Sequence, residues 1–431
     1  MLIRFEARNF RSIGETVELS MVAVDRDRVE ARTEALLGES LLPVAAIFGP
    51  NASGKSNVIA AFRWVRDAVA NSLRVWDEQI PLEPFAFGRG PAMSSEFVVE
   101  STVDGVRNEY VLEVDRERVV YEGLFHYPEK KRRRIFERDG MELKLQRGLG
   151  GLSGTRELLT ERTLALSVAR RFNEPLVSTV ARDLLNTQTL GNVPQRYQLA
   201  GIDFSARLAP GSSETMRWFE HSAEQTSLFD ESELDIHVPY DRQQALALLR
   251  LADLGIEDVL VDTQEVSYSD SSEVRTRRRL RLLHRSNEDS VPFDFAAESE
   301  GTKTWFQLIG PVLKALRQGS LVLFDELDAS LHPTLSAELI RLFHNPGTNP
   351  WGAQLIFTSH DTSLLSHLNR DEVWLTDKRA DGSTRLGALA DFAGERVRKS
   401  QNLEDAYLHG RFGALPQIDN AGLYRALGLI G

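Results

Sequence analysis

The 431-residue chain contains no cysteine, which removes disulfides, thiol nucleophiles and cysteine metal sites and fits a reducing compartment. No run of eighteen apolar residues occurs, so the sequence offers no membrane span. The opening Met1-Leu2-Ile3-Arg4-Phe5-Glu6 alternates like a strand and lacks the apolar core of a signal peptide, and a cytoplasmic protein is expected. The G-x-S-x-G nucleophile pattern is missing, no second histidine stands at metal-ligand spacing from His360, and no sustained heptads announce a coiled coil. Positive charge is in deficit: 51 Lys and Arg against 63 Asp and Glu give −12. The molecule as a whole repels polyanions, so any nucleic-acid contact needs a local basic surface, and composition neither implies nor excludes DNA. An apolar fraction of 42% and this length suit one large or two to three ordinary folded domains.

What the chain does have is a complete phosphate-binding loop, Phe48-Gly49-Pro50-Asn51-Ala52-Ser53-Gly54-Lys55-Ser56, directly after the apolar stretch Val44-Ala45-Ala46-Ile47. A phosphate needs several N–H donors converging on one point, a lysine for the β and γ oxygens and a hydroxyl for Mg²⁺. Gly49, Asn51, Ser53, Gly54, Lys55, Ser56 and Asn57 are expected to hold ATP, and Ser56 also the metal. Val58, Ile59, Phe62, Val65, Val69 and Leu73 follow at helical spacing, so the local order is strand, loop, helix.

A second apolar run, Leu321-Val322-Leu323-Phe324, ends in Asp325-Glu326. In phosphate-loop ATPases the first acid after such a strand holds the Mg²⁺ shell, and an adjacent glutamate orients or deprotonates the attacking water. Asp325 takes the metal role and Glu326 the catalytic one. A third run, Gln354-Leu355-Ile356-Phe357, delivers Thr358-Ser359-His360-Asp361 to the same sheet edge, where His360 could contact the γ-phosphate or polarise the water. Glu298-Ser299-Glu300-Gly301-Thr302 opens a helix striped with Trp305, Phe306, Ile309, Val312, Leu313 and Leu316, with a kink expected at Pro311. Such a helix start is an anion site, at the place where ABC-type ATPases keep a signature loop that reaches the partner's γ-phosphate. Only Ser299 and Gly301 of that signature are retained. The closer literal match Leu152-Ser153-Gly154-Thr155 is followed by a charged segment and lies too far from the Asp325 strand.

The chain divides by pattern into a first ATPase part (1–90), an antiparallel β-meander (91–147), a mainly helical insertion (148–260) and a second ATPase part (261–431). The meander rests on short alternating runs separated by Asp104-Gly105 and Asp139-Gly140 turns. Helix and strand alternate from Ser299 onward, which is α/β. From Lys55 to Asp325 the chain covers 325 − 55 = 270 residues, which the meander and insertion fill. Two basic runs, Lys130-Lys131-Arg132-Arg133-Arg134 and Arg275 through Arg281, could track phosphates, although adjacent acids favour solvated strand faces.

These elements, in this order, resemble an ABC-type ATPase of the branch that includes chromosome-maintenance heads, RecF and OLD-type phage-defence proteins. Asn9-Phe10-Arg11-Ser12-Ile13 is typical of that branch, and the resemblance implies that Arg11 lies near the nucleotide. The signature segment, Asp325-Glu326-Leu327-Asp328-Ala329-Ser330-Leu331-His332-Pro333, Thr358-Ser359-His360-Asp361 and Tyr407-Leu408-His409-Gly410-Arg411-Phe412-Gly413-Ala414 are similar to bacterial AAA-type abortive-infection ATPases of the RloB-, PARIS- or Septu-associated type. That resemblance implies an α/β ABC-type P-loop head with an antiparallel β subdomain and a helical insertion, binding ATP and Mg²⁺. It further implies a homodimer or higher assembly, a phage-derived trigger and a separately encoded effector such as a nuclease. Asp328 would face the dimer partner, and Gln79 is the nearest candidate for the family's glutamine loop. The alternative is a RecF-like, ATP-dependent DNA-binding protein of DNA repair.

Overall fold

A computed structural model describes residues 1–26, 28–34, 36–76, 78–172, 174–191, 210–220, 241–267, 274–286, 289–393 and 403–409. The chain begins with β1 (Leu2–Arg8) and β2 (Val17–Ser20), a short ribbon β3 (Arg32–Glu34) and β4 (Glu39–Leu41), then β5 (Val44–Phe48) and α1 (Lys55–Val75). The meander follows as β6 (Ser95–Val103), β7 (Val106–Val114), β8 (Val119–His126), β9 (Arg133–Asp139) and β10 (Glu142–Leu145). Next come α2 (Thr155–Leu158), α3 (Ala165–Ala169), α4 (Pro175–Leu185), β11 (Gln188–Gly191), α5 (Pro210–Glu220) and α6 (Arg242–Ala252). A three-stranded sheet, β12 (Ile256–Ser267), β13 (Val274–Ser286) and β14 (Asp289–Asp294), leads into α7 (Glu300–Gln318). The last part holds β15 (Leu321–Asp325), α8 (Leu327–Ser330), α9 (Pro333–His344), β16 (Gln354–Thr358), β17 (Val373–Lys378), β18 (Thr384–Ala388), α10 (Leu389–Ala393) and α11 (Leu403–Leu408).

The meander does not stand alone. β1 and β2 extend it into a seven-stranded antiparallel sheet of order β10-β9-β8-β7-β6-β1-β2, with Phe5 opposite Val99. A six-stranded sheet, β11-β15-β16-β5-β17-β18, is parallel except for its last pair. Its central strands are continuously apolar because both faces are covered. Ala45, Ile47, Leu321, Leu323 and Ile356 share a core with Val58, Ile59, Phe62 and Val65 of α1 and with Phe5, Leu19, Phe97 and Leu112 of the antiparallel sheet. Val44, Ala46, Phe48, Val322, Phe324, Leu355 and Phe357 turn the other way, against Trp305, Phe306 and Ile309 of α7 and Leu339 and Ile340 of α9. The helix after the phosphate loop is therefore held between two sheets. Gln354 joins them by its amide, which donates to the carbonyls of Leu2 and Leu42, each at 3.0 Å.

The insertion reaches both layers. β11 pairs with β15, Gly191 opposite Asp325, although its Gln188-Thr189-Leu190-Gly191 sequence has no apolar run to announce a strand. α5 and α6 lie on α7: Trp305 Nε1 donates to Leu248 O at 2.6 Å. Pro311 stands inside α7, which continues as one helix from Glu300 to Gln318. Beside the proline, Thr215 of α5 inserts its hydroxyl into the helix ladder, donating to Phe306 O at 2.6 Å and accepting the Gly310 N–H at 2.8 Å. That hydroxyl satisfies both main-chain groups, a carbonyl and an N–H four residues apart that would otherwise need each other. Among the described residues the longest helix is α1, of 21 residues, and no helix is long and apolar enough to cross a membrane.

Candidate nucleotide site

The phosphate loop fills the turn between β5 and α1. Gly49 has φ 153°, and a Cβ there would lie 2.4 Å from Thr376 Oγ1. Gly54 has φ 103°, in the left-handed region, and a Cβ would lie 1.9 Å from Thr384 Oγ1; only glycine serves at either end. Lys55 is buried at the start of α1, with Nζ donating to Gly49 O at 2.9 Å and Pro50 O at 3.1 Å. Burial pulls its ammonium below the ordinary lysine value, against Asp328, Asp325 and Glu326, which favour the charge. Ser53 is buried and bonded to Thr376 at 2.6 Å, Asn51 is exposed, and Asn57 Nδ2 donates to Ser12 Oγ at 2.7 Å.

The acidic edge faces the loop near Ser56, whose hydroxyl favours the charged form of Asp325. β15 and β16 run in register, Phe324 beside Phe357, so Thr358 stands next to Asp325 and donates to its Oδ1 at 2.7 Å. Burial pushes the Asp325 carboxyl up, and the hydrogen bonds from Thr358 and Ser56 pull it back. Glu326 follows with φ 56° and ψ 60°, a left-handed conformation that costs a non-glycine residue roughly 1–2 kcal/mol. Its N–H donates to Thr358 Oγ1 at 2.7 Å, which offsets part of that cost. His360 is exposed at the end of the neighbouring strand, and its N–H donates to Asp328 Oδ1 at 3.1 Å. Asp325, Glu326 and His360 thus leave one sheet edge, with Thr358 and Asp328 bracing the turns.

Ser299 and Gly301 lie apart from this cluster. Ser299 Oγ caps its own helix, accepting the Thr302 N–H at 3.1 Å, and both residues are exposed. Arg11 is turned toward Glu83, with Nε 3.2 Å from its carboxylate; the neighbouring Ser12 reaches the loop instead. Gln79 is exposed in a groove of about 480 Å³ with Glu78, Asp115, Glu117, Arg118, Glu161 and Arg162, a different place from the loop. The basic runs are balanced by acids: Arg132 meets Glu109 at 2.9 Å, Arg134 meets Glu137 at 3.1 Å, Arg279 meets Asp294 at 2.7 Å and Arg281 meets Asp262 at 2.6 Å. The side chains of residues 275–278 lie outside the described residues, as do residues 410–414 of the C-terminal motif.

Sequence reading missed Ser12, Thr358, Thr376 and Thr384. Thr358 and Ser12 lie inside motifs already singled out, and their hydroxyls were the available signal. Thr376 and Thr384 sit in strands that pattern alone marks only as strands.

The family described as "AAA domain, putative AbiEii toxin, Type IV TA system" matches residues 44–143 and 206–366. Solved structures with a similar fold include the SMC head domain from Thermotoga maritima, 11% identical, covering 90% of this chain and 98% of that one, TM-score 0.40. Another is an SMC head bound to the C-terminal winged-helix domain of ScpA, 13% identical, covering 94% and 99%, TM-score 0.39. A third is an SMC head with an extended coiled coil bound to the C-terminal domain of ScpA, from Pyrococcus furiosus, 12% identical, covering 90% and 97%, TM-score 0.39. No curated protein matches the chain.

Proposed function

This chain belongs to that family of AAA domains, and from this premise we propose that it is an ATP-binding and ATP-hydrolysing dimeric switch controlling a partner effector in bacterial anti-phage defence. The observation that carries the reading is the placement of the phosphate loop after β5 and of Asp325 at the end of β15 on one edge of the same parallel sheet. Ser56 and Asp325 offer hard oxygen donors of the kind Mg²⁺ takes, and two protein donors suit a metal that completes its shell with waters and substrate phosphates. When bound, Mg²⁺ would neutralise charge on the β and γ oxygens. Lys55 would contribute charge to the same oxygens, the loop N–H groups would hold the phosphates, and Glu326 would accept a proton from the attacking water, with His360 beside it.

A dimer fits the exposure of Ser299 and Gly301 on α7, whose chain direction brings its N-terminus to the edge where the parallel strands end. A second subunit's Lys55 is the partner we assign to them. A family described by toxin–antitoxin systems supports a two-component arrangement with a separate effector, for which we propose a nuclease, and a phage-derived trigger. The paired arginines give a RecF-like DNA reader no comparable support.

The test is a phage-protection assay with the neighbouring gene present. Lys55→Ala should abolish protection, and protection that survives it would sink the switch. Glu326→Gln should bind ATP and hydrolyse it far more slowly than wild type; an equal rate would overturn the assignment of the base.

A further inference from the structure

Both ends of the phosphate loop are held by one hairpin that enters more than 300 residues later. β17 and β18 pair antiparallel, with Thr376 opposite Leu386 and Lys378 opposite Thr384. Thr376 lies at the loop's entry and Thr384 at its exit.

Proton accounting fixes the direction of every bond. A carbonyl only accepts, so Thr384 gives its single hydroxyl proton to Ser53 O at 2.9 Å. Its 2.7 Å contact with Ser12 Oγ must then use the serine's proton. Ser12 in turn accepts from Asn57 Nδ2 at 2.7 Å. At the entry, Thr376 donates to Phe48 O at 3.2 Å, so the 2.6 Å contact with Ser53 uses the Ser53 proton. Two one-way relays therefore end on main-chain carbonyls of the loop, those of Phe48 and Ser53.

In a trans peptide the C=O and the following N–H point in opposite directions. Holding Phe48 O and Ser53 O against the hairpin turns the N–H groups of Gly49 and Gly54 away from it. The absence of a side chain at Gly54 is what lets Thr384 approach, since a Cβ would sit 1.9 Å from its Oγ1. The main-chain N–H of Thr384 also bonds to Ser12 O, at 2.7 Å, which fixes the hairpin to the turn after β1.

We propose that the β17–β18 hairpin is a template that presets the phosphate loop, with Thr384 as a positioning residue for nucleotide binding. Its hydroxyl, relayed through Ser12 from Asn57, holds the Ser53–Gly54 peptide with its N–H turned toward the phosphates. A loop preset in this way loses less freedom on binding than one ordered by the ligand. The proposal rests on the reading that this loop binds ATP.

The experiment measures MgATP affinity, and KM and kcat for hydrolysis, in the full chain and its variants, with melting of each nucleotide-free protein. Thr384→Val keeps the shape and loses the donor. It should weaken ATP about tenfold, the equivalent of about 1.4 kcal/mol for one lost hydrogen bond, raising KM more than it lowers kcat. Thr384→Ser should restore wild-type affinity. Wild-type affinity in Thr384→Val would overturn the template, whereas a wild-type protein that fails to bind MgATP would overturn the reading beneath it. If Thr384→Val does not fold, Ser12→Ala decides: it should weaken ATP about threefold, and unchanged affinity would overturn the relay.

Discussion

Thr358 donates its only hydroxyl proton to Asp325 at 2.7 Å and, on the same oxygen, accepts the main-chain N–H of Glu326 at 2.7 Å. One side chain of the neighbouring strand therefore fixes the carboxylate assigned to the metal and the backbone of the residue assigned as base. Partners of this kind orient a ligand without touching the metal, and their loss typically costs about 10- to 100-fold in metal affinity or activity. Thr358→Val should lower Mg²⁺-dependent ATP hydrolysis within that range and raise the Mg²⁺ concentration needed for half-maximal rate. Thr358→Ser should stay near wild type. A Mg²⁺ titration of the three proteins checks it, and an unchanged Mg²⁺ requirement in Thr358→Val would remove Thr358 from the site.

Gly301 lies in open space: the nearest atom to a Cβ placed there is Ser299 Oγ at 3.8 Å. A large side chain is thus accommodated by the single subunit, and its effect falls on whatever docks against the start of α7. In a Glu326→Gln background, ATP should produce dimers by light scattering. Adding Gly301→Trp should leave ATP affinity within about twofold, because no residue assigned to the phosphates in that subunit has changed, and should abolish the dimer. Dimers that persist would place the interface elsewhere.

The phosphate loop, the acidic edge and the strand before His360 were legible because each is a contiguous run whose strand is buried on both faces. Local spacing carries that information, so Val44 to Ile47, Leu321 to Phe324 and Gln354 to Phe357 were readable directly. Pairings across the chain were not. Nothing near Gln188 shows that it lies beside Val322, or near Phe5 that it faces Val99. Arg11 and Ser12 show the same limit at one residue's scale. Arg11 takes a positive φ of 50° and pairs with Glu83 while Ser12 turns to Thr384, and the motif alone does not say which of two adjacent residues faces the loop.

The Thr215 hydroxyl bridges Phe306 and Gly310 inside α7 and is one of the polar ties between the insertion and the helix capped by Ser299. Thr215→Val leaves a buried carbonyl and a buried N–H without that bridge, a loss of about 1–3 kcal/mol. Urea unfolding should show it. In the switch reading, the same change should weaken ATP-dependent dimerisation while leaving the affinity of a single subunit for ATP unchanged, because α1, which carries Lys55 and Ser56, packs on the opposite face of the parallel sheet from α7. Equal loss of both would mean that α5 acts only on general stability.

Glu122 and Arg138 are both fully buried, 3.8 Å apart, where the meander meets the insertion. Glu122 accepts from Tyr110 OH at 2.9 Å and from the N–H groups of Ala165 and Leu166 at 2.5 and 2.8 Å, while Arg138 donates to the carbonyls of Thr160 and Gly140, each at 2.6 Å. Burial pushes the Glu122 carboxyl above the usual range, and Arg138 is the strongest influence pulling it back. A carboxyl with a raised folded pKa holds its proton more tightly folded than unfolded, so stability falls as pH climbs from the unfolded value through the folded one. Removing Arg138 raises the folded value further and widens that window upward. Arg138→Met should therefore cost about 3–5 kcal/mol, and more at about pH 8 than at about pH 5, because the variant goes on losing stability as pH climbs toward its higher folded value. Urea unfolding of both proteins at the two pH values measures this, and Glu122→Gln in the Arg138→Met background should flatten the difference. A loss that is the same at both pH values would mean that Arg138 acts through its main-chain hydrogen bonds and not through its charge.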